Sequence, residues 1–207
     1  DKNIKALVHT GQGKFFSFGF DIPEFLSFKK EEFTDYLTNF TDLYTYLFLY
    51  PKPVIAALNG HTIAGGCMLA LACDTRVMVA GKSKISLNEI AFGSSVFAGS
   101  TEMLRFCVGN ANATKVLYSG TMYSAEEAMN LGMVQDIFSE DDLLVQAKRI
   151  ALDLGSKHLP AFVSIKSLLR KPTADDMVAQ ERTSIREFVD IWYSKATWKN
   201  LQNIKIS

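Results

Sequence analysis

A glycine pair at the opening of a helix is the segment of this chain whose residue types and spacing could do chemistry. Val54-Ile55-Ala56-Ala57-Leu58 reads as a buried strand, and Asn59-Gly60 ends it in a turn. Ala64-Gly65-Gly66 then leads into the apolar helix Cys67-Met68-Leu69-Ala70-Leu71-Ala72. Glycine lets backbone come close to a ligand, and the first amides of a helix have no internal partner. Such amides can hold a developing negative oxygen. Tight packing of helix on strand is the commoner use of a glycine pair, and the spacing alone does not decide between the two. A nucleotide loop is excluded, because the pair lacks both a following Gly-Lys-Ser or Gly-Lys-Thr and the G-x-G-x-x-G spacing. Met68 cannot ionise, so the helix itself carries no acid or base at that position.

The elements that must position this segment alternate between strand and helix. Ile4 to His9 reads as a first strand, Gly11 to Lys14 as a turn, and Phe15 to Asp21 as a short aromatic stretch broken by Gly19. Pro23 suits an early helical position. An amphipathic helix is predicted from about Lys30 to Tyr50, with Pro51 and Pro53 separating it from the buried strand. Beyond the glycine-pair helix, Thr75 to Ala80 and Lys84 to Leu87 are predicted strands divided by Gly81-Lys82. Helical periodicity then covers segments near 100–107, 110–118, 124–130, 141–154 and 158–170, interrupted by one more strand, Met133 to Phe138. From about Ala174 to Ile204 an amphipathic helical stretch offers Phe188, Ile191, Trp192, Tyr193 and Trp198 for packing. The pattern predicts an α/β core over residues 1–140 and a helical extension over 141–207.

Composition narrows the function classes. At 207 residues and 48% hydrophobic, the chain can bury a full core. Its 22 basic residues balance 22 acidic ones, which argues against nucleic acid as the main partner. Lys166, Arg170 and Lys171 read as a local basic patch, either a solvated face or a contact for phosphates. Cys67, Cys73 and Cys107 lack the spacing of a zinc site or a disulfide framework, so they are expected as small core residues in a reducing compartment, with no metal. No apolar run reaches the ~18 residues of a membrane helix, so no span is expected. Among the histidines, His9 and His158 fall outside any motif, and His61 suits a structural hydrogen bond in a turn. Asp21 and Asp74 are expected to organise loops. A strand starting so early, with no initiating Met, reads as a piece of a longer chain.

Three segments in order resemble the crotonase (enoyl-CoA hydratase/isomerase) superfamily. They are Phe16-Ser17-Phe18-Gly19-Phe20-Asp21-Ile22, the stretch from Asn59-Gly60-His61 through Ala64-Gly65-Gly66-Cys67, and Asp74-Thr75-Arg76 with Leu87-Asn88-Glu89. The likeness runs on through residues 119–138 to the end of the chain, lacking only the N-terminal strand and hairpin region of the family. Ala64-Gly65-Gly66-Cys67, Cys73-Asp74-x-Arg76, Leu87-Asn88-Glu89 and Arg170-Lys171-Pro172-Thr173-Ala174 are most similar to the mitochondrial-type Δ3,Δ2-enoyl-CoA isomerase branch.

The resemblance implies a ββα spiral fold and an acyl-CoA thioester substrate, with no cofactor apart from the CoA that the substrate carries. It implies that the backbone N–H groups of Phe20 and Gly65 form an oxyanion hole on the thioester carbonyl. Glu89 would be the one catalytic base, moving a proton from the α to the γ carbon of a 3-enoyl-CoA in fatty acid β-oxidation. Read without the resemblance, Glu89 is a surface carboxylate after a strand, and Phe20 a core aromatic. Phe18 would contact the CoA moiety and Asn88 the acyl chain. Hydratases of the family carry a second glutamate where this chain has Met68, and dienoyl-CoA isomerases a further acid where it has Phe97. Both positions are apolar here and would line the substrate, which implies double-bond migration and not hydration. The alternatives are another acyl-CoA crotonase (hydratase, decarboxylase or thioesterase) or a non-catalytic module that binds acyl-CoA or a protein. Residues 141–207 would serve trimerisation, as a homotrimer or a dimer of trimers. The expected compartment is the cytoplasm in a prokaryote or the mitochondrial matrix in a eukaryote.

Overall fold

The computed structural model describes residue 1 and residues 3–203. Among the described residues, seven short strands feed two sheets in alternation. β1 (Leu7–Thr10), β3 (Val54–Leu58), β5 (Thr75–Val79) and β7 (Asp136–Phe138) form one sheet in that order. β2 (Phe15–Ser17), β4 (His61–Ile63) and β6 (Ile85–Ser86) form the other. Every pairing is parallel, so the chain lays one strand in each sheet before each helical return, which is the expected ββα spiral. All five residues of β3 are buried, as a central parallel strand requires. Crossing from β3 to β4 needs Gly60, because a Cβ there would lie 2.3 Å from the Lys14 carbonyl oxygen. Asn59 ties the same turn to the β1–β2 turn, accepting from the Gly11 amide at 2.8 Å and donating to the Gly13 carbonyl at 3.0 Å.

The helices are α1 (Ile22–Phe25), α2 (Lys30–Phe48), α3 (Gly65–Ala72), α4 (Ala98–Ser119), α5 (Ala125–Leu131), α6 (Glu140–Gly155), α7 (Leu159–Trp192) and α8 (Lys195–Leu201), with a 3-10 turn at Glu89–Phe92. Asp21 caps α1, with Pro23 in its first turn. Ser124 and Glu127 form the capping box of α5. Gly109, at φ 73° and ψ 166°, breaks α4 where the sequence pattern divides it.

Several expectations are corrected. β1 begins at Leu7 and not Ile4, because its partner β3 begins at Val54, directly after Pro53. β7 begins at Asp136, since the Met133 amide closes the C-terminal turn of α5 by donating a hydrogen bond to the Ala128 carbonyl. His61 lies in β4, a strand too short for alternation to reveal, although its Nδ1 does accept the Lys84 amide at 3.2 Å. α7 runs unbroken through Pro172, held by buried Lys166 and Arg170 before the proline and by Ala174 and Met177 after it. Ile204, the expected end of the last helix, lies outside the described residues. Helix α7 buries its apolar face in the core that also holds α2: the Phe33 ring of α2 sits 5.0 Å from Trp192 and 6.2 Å from Phe188.

The basic patch is not a surface. Lys166 and Arg170 are each 6% exposed, and only Lys171 faces solvent, paired with Asp175. Lys166 Nζ lies 2.8 Å from Asp74 Oδ2, and Arg170 Nη2 lies 3.3 Å from Asp74 Oδ1. Asp74 also accepts the Val54 amide at 2.8 Å, so it does organise the chain. Removing it leaves two buried cations without a counter-charge. Asp74→Ala is therefore expected to lower folding stability by about 3–5 kcal/mol in urea titration, whereas Lys171→Ala should change it by less than ~1 kcal/mol.

Candidate active site

A cavity of about 280 Å³ opens where β2, β4 and β6 end. Chain segments that follow parallel strands commonly build ligand sites there. Phe18, Phe20 and Ile22 enter from the stretch after β2, Ile63, Ala64 and Met68 from the β4–α3 junction, and Asn88 and Glu89 from the stretch after β6. Phe97, the N-cap of α4, and Phe188 and Trp192 of α7 also line the cavity.

The two glycine-containing segments touch. A Cβ on Gly19 would lie 3.1 Å from the Ala64 Cβ and 3.2 Å from the Gly65 nitrogen. A Cβ on Gly65 would come within 3.2 Å of the Phe20 ring. Gly19 takes φ +91°, a conformation suited to glycine. Among the described residues, neither the Phe20 nor the Gly65 amide has a hydrogen-bond partner. Gly66 acts differently. Its missing Cβ would sit 2.5 Å from the Ser17 carbonyl oxygen, so it lets α3 press onto β2. One glycine of the pair thus serves packing, and the other leaves its amide unused.

Ala64 is the residue that sequence reasoning missed. It caps α3 at φ 49° and ψ −121°, the one non-glycine with positive φ among the described residues. A side chain held there costs on the order of 1–3 kcal/mol, and such strain tends to gather where geometry matters for function. Nothing in an alanine signals this. Phe188 and Trp192 were legible only as an apolar face, because their approach to the cavity depends on α7 folding back over α2 and α4.

Glu89 is 4% exposed, and both its carboxylate oxygens lack a hydrogen-bond partner. The surface reading of Glu89 is therefore wrong. Burial pushes its pKa up from 4.5 to about 7, since the charged form loses water and gains no cation. Met68 (1% exposed) and Phe97 (0%) give the cavity apolar walls. Asn88 is half-buried, with an unpartnered Oδ1, and Phe18 is the most exposed lining aromatic, at 37%. Cys67 and Cys73 are fully buried free thiols whose pKa values burial raises, which suits core residues.

A buried, unpartnered carboxylate in an apolar cavity, with two unpartnered backbone amides on the neighbouring segments after β2 and β4, is an arrangement suited to acid–base chemistry on a carbonyl compound. The sequence profile of the family described as enoyl-CoA hydratase/isomerase matches residues 1–203, and the chain belongs to that family. It is 30% identical to the mouse mitochondrial enoyl-CoA delta isomerase 1 over 97% of this chain and 70% of that protein. It is 35% identical to the 2,3-dehydroadipyl-CoA hydratase of Escherichia coli K12 over 83% of this chain and 66% of that one. The human mitochondrial delta3-delta2-enoyl-CoA isomerase superposes with a TM-score of 0.87 at 25% identity, covering 95% of this chain and 76% of that one. Isomerases and hydratases thus stand at similar distance.

Burial of Glu89 has a consequence for stability. The folded chain holds the Glu89 proton more tightly than the unfolded chain, so this group disfavours folding progressively as pH rises from about 4.5 to about 7. Glu89→Gln removes that charge. The variant is expected to be more stable than the parent above pH 7, by on the order of 3 kcal/mol. Thermal melts should show the difference closing below about pH 4.5.

Proposed function

We propose that this chain is a Δ3,Δ2-enoyl-CoA isomerase, which moves the double bond of a 3-enoyl-CoA to give the 2-trans-enoyl-CoA in fatty acid β-oxidation. One observation carries the reading: Glu89 is the only carboxylate lining the cavity among the described residues, and Met68 and Phe97 are apolar. Double-bond migration needs a single group that takes a proton and returns it. Hydration must in addition position and deprotonate a water molecule while the α carbon is protonated.

In this mechanism the thioester oxygen sits between the Phe20 and Gly65 amides. Glu89 removes the α proton, and the electron pair moves onto the thioester oxygen to give a dienolate. The amides stabilise that oxyanion, and losing one such donor typically costs about 2.7–4 kcal/mol. The neutral Glu89 carboxyl then protonates the γ carbon, the double bond moves into conjugation, and the carboxylate is regenerated. A pKa near 7 suits both steps, because a weaker base would not take the proton and a stronger one would not return it. Phe18 at the mouth contacts the CoA moiety, and Asn88, Met68 and Phe97 bound the acyl chain. On this reading CoA belongs to the substrate, and no separate cofactor takes part. On this reading the chain assembles as a homotrimer or a dimer of trimers. Exposed Ile165, Leu168 and Val178 on α7 support it as surface available for burial between subunits.

The test supplies 3-enoyl-CoA and, separately, 2-enoyl-CoA, and follows the products. Conversion of the first without hydration of the second is expected. The kcat/KM should rise with pH through about 7 and level off above it, since the base must be ionised. Glu89→Gln should lower kcat by about 10²–10⁴-fold. Isomerisation that survives this substitution would refute the mechanism. Rapid hydration of 2-enoyl-CoA would favour a hydratase, and CoA binding without turnover a non-catalytic module.

A further inference from the structure

The proposed mechanism asks Glu89 to serve two carbons of one substrate, yet nothing at its tip aims it. Both carboxylate oxygens are buried without a hydrogen-bond partner among the described residues. The side chain is therefore aimed by the backbone that carries it, the 3-10 turn Glu89–Phe92. Within this stretch the Ala91 amide donates to the Asn88 carbonyl at 3.0 Å, Gly93 to Ile90 at 3.1 Å, and Ser94 to Glu89 at 3.0 Å. Gly93, at φ +83°, ends the turn. Hydrogen-bond geometry in a 3-10 turn is poorer than in an α-helix, so its ties to the rest of the fold matter.

Those ties come from α8. Thr197 Oγ1 donates to the Gly93 carbonyl at 2.7 Å, and Asn200 Nδ2 donates to the Phe92 carbonyl at 3.2 Å. Among the described residues, no other hydrogen bond joins residues 89–94 to a separate element. A Cβ on Gly93 would lie 3.4 Å from Asn200 Nδ2, so α8 rests directly on the end of the turn. α8 is itself anchored. Leu201 is buried in the core, and Ser194 Oγ caps the helix at the Thr197 amide and bonds the Thr197 hydroxyl at 3.1 Å. The Trp198 ring stacks on Tyr193 at 5.2 Å, and Tyr193 Oη donates to the Phe28 carbonyl at 2.9 Å.

We infer that Thr197 is a positioning residue for Glu89: its hydroxyl, with the Asn200 amide beside it, fixes the end of the turn and so the direction of a carboxylate that makes no orienting bond of its own. This inference rests on the reading of Glu89 as the base. Thr197 is 3% exposed and does not line the cavity, so it acts through the turn and not on substrate. Among the described residues, no other charged side chain lines the cavity, and Lys195 and Lys199 of α8 are exposed. Burial keeps the neighbouring Cys67 thiol of α3 protonated. The titration of Glu89 therefore reports how far water reaches it.

The test compares Thr197→Val, which keeps the shape and loses the hydroxyl, with Thr197→Ser, which keeps the hydroxyl. On 3-enoyl-CoA, Thr197→Val should lower kcat about 10–100-fold with KM unchanged, and Thr197→Ser should stay near the parent. Carboxyl ¹³C spectra, with Glu89→Gln assigning the signal, supply a second readout that needs no turnover. Thr197→Val should move the Glu89 titration from about 7 toward 4.5 as water reaches the carboxylate, and Thr197→Ser should not. Should Thr197→Val fail to fold, exposed Asn200 decides. Asn200→Ala should lower kcat about 2–5-fold and shift the titration the same way, while Lys199→Ala changes neither. A parent-like kcat or titration in Thr197→Val, equal losses in the valine and serine variants, or a rise in KM alone would overturn the inference, as would a parent-like Asn200→Ala where that variant decides. Failure of the isomerase reading shows separately, as no turnover of 3-enoyl-CoA by the parent, and the titration then tests the positioning by itself.

Discussion

Burying helix α3 with its last carbonyls satisfied is the constraint on which the rest of the structure depends. Seven of its eight residues are buried, so water cannot serve the carbonyls of its last turn. Two arginines do so instead. Arg76 Nη1 donates to the Cys73 carbonyl at 2.8 Å and its Nε to Met133 at 2.8 Å. Arg170 reaches the Ala72 and Cys73 carbonyls at 2.9 and 3.0 Å, and the Phe48 carbonyl at the end of α2 at 3.0 Å. Cations at a helix C-terminus also complement its dipole, and Asp74 offsets part of their charge. With that end closed by protein groups, the opposite end can keep its first amide free. The chain reaches that end through strained Ala64 and through Gly66, whose missing Cβ lets α3 sit on β2.

The apolar character of the cavity ties the base to its surroundings. An exposed glutamate would titrate near 4.5 and be a poor match for the weakly acidic α proton of a thioester. Burial pushes Glu89 up to about 7 against a lowering by its own backbone amide, with no neighbouring charge contributing. A second carboxylate in place of Met68 or Phe97 would raise one of the two pKa values further and would need water to solvate it. The apolar residues at those positions and the pKa of Glu89 therefore express one choice, an apolar site with a single carboxylate. Its cost appears in stability, because the charge disfavours folding at the pH where the proposed reaction would use it as a base.

Local patterns were legible where a residue's role depends on its neighbours in sequence. The run Val54–Leu58, the Asn59-Gly60 turn, the apolar α3 and the Ser124 cap all follow from short-range rules. Elements that depend on a partner were not legible. β1 starts where β3 lets it, and β4 is defined only by pairing with β2 and β6. Lys166 and Arg170 carry the composition of a surface patch, and only the carbonyls of α3 and the carboxylate of Asp74 explain their burial. The site shows the same division: the glycine segments and Glu89 could be picked out by family resemblance, while the Ala64 conformation and the α7 wall could not.

On the proposed reading, the wall that would bound the acyl chain is encoded far from Glu89. Glu89, Phe20 and Gly65 lie on short segments that leave the ends of parallel strands, and those ends are fixed by the sheets. Phe188 and Trp192 come from a helix almost a hundred residues later, whose register is set by Glu181, Ser184 and the Asp74 cluster. Strand ends position the carboxylate, and α7 bounds the room beside it. Members of one family could then keep one acid–base arrangement while the closing helix selects the chain. In this protein that helix also reaches α3, the helix whose first amide belongs to the proposed oxyanion hole, because Arg170 binds its last carbonyls. The wall and the oxyanion end are therefore mechanically connected through α3 and α7, so a shift in α7 large enough to reshape the cavity would also be felt at Gly65.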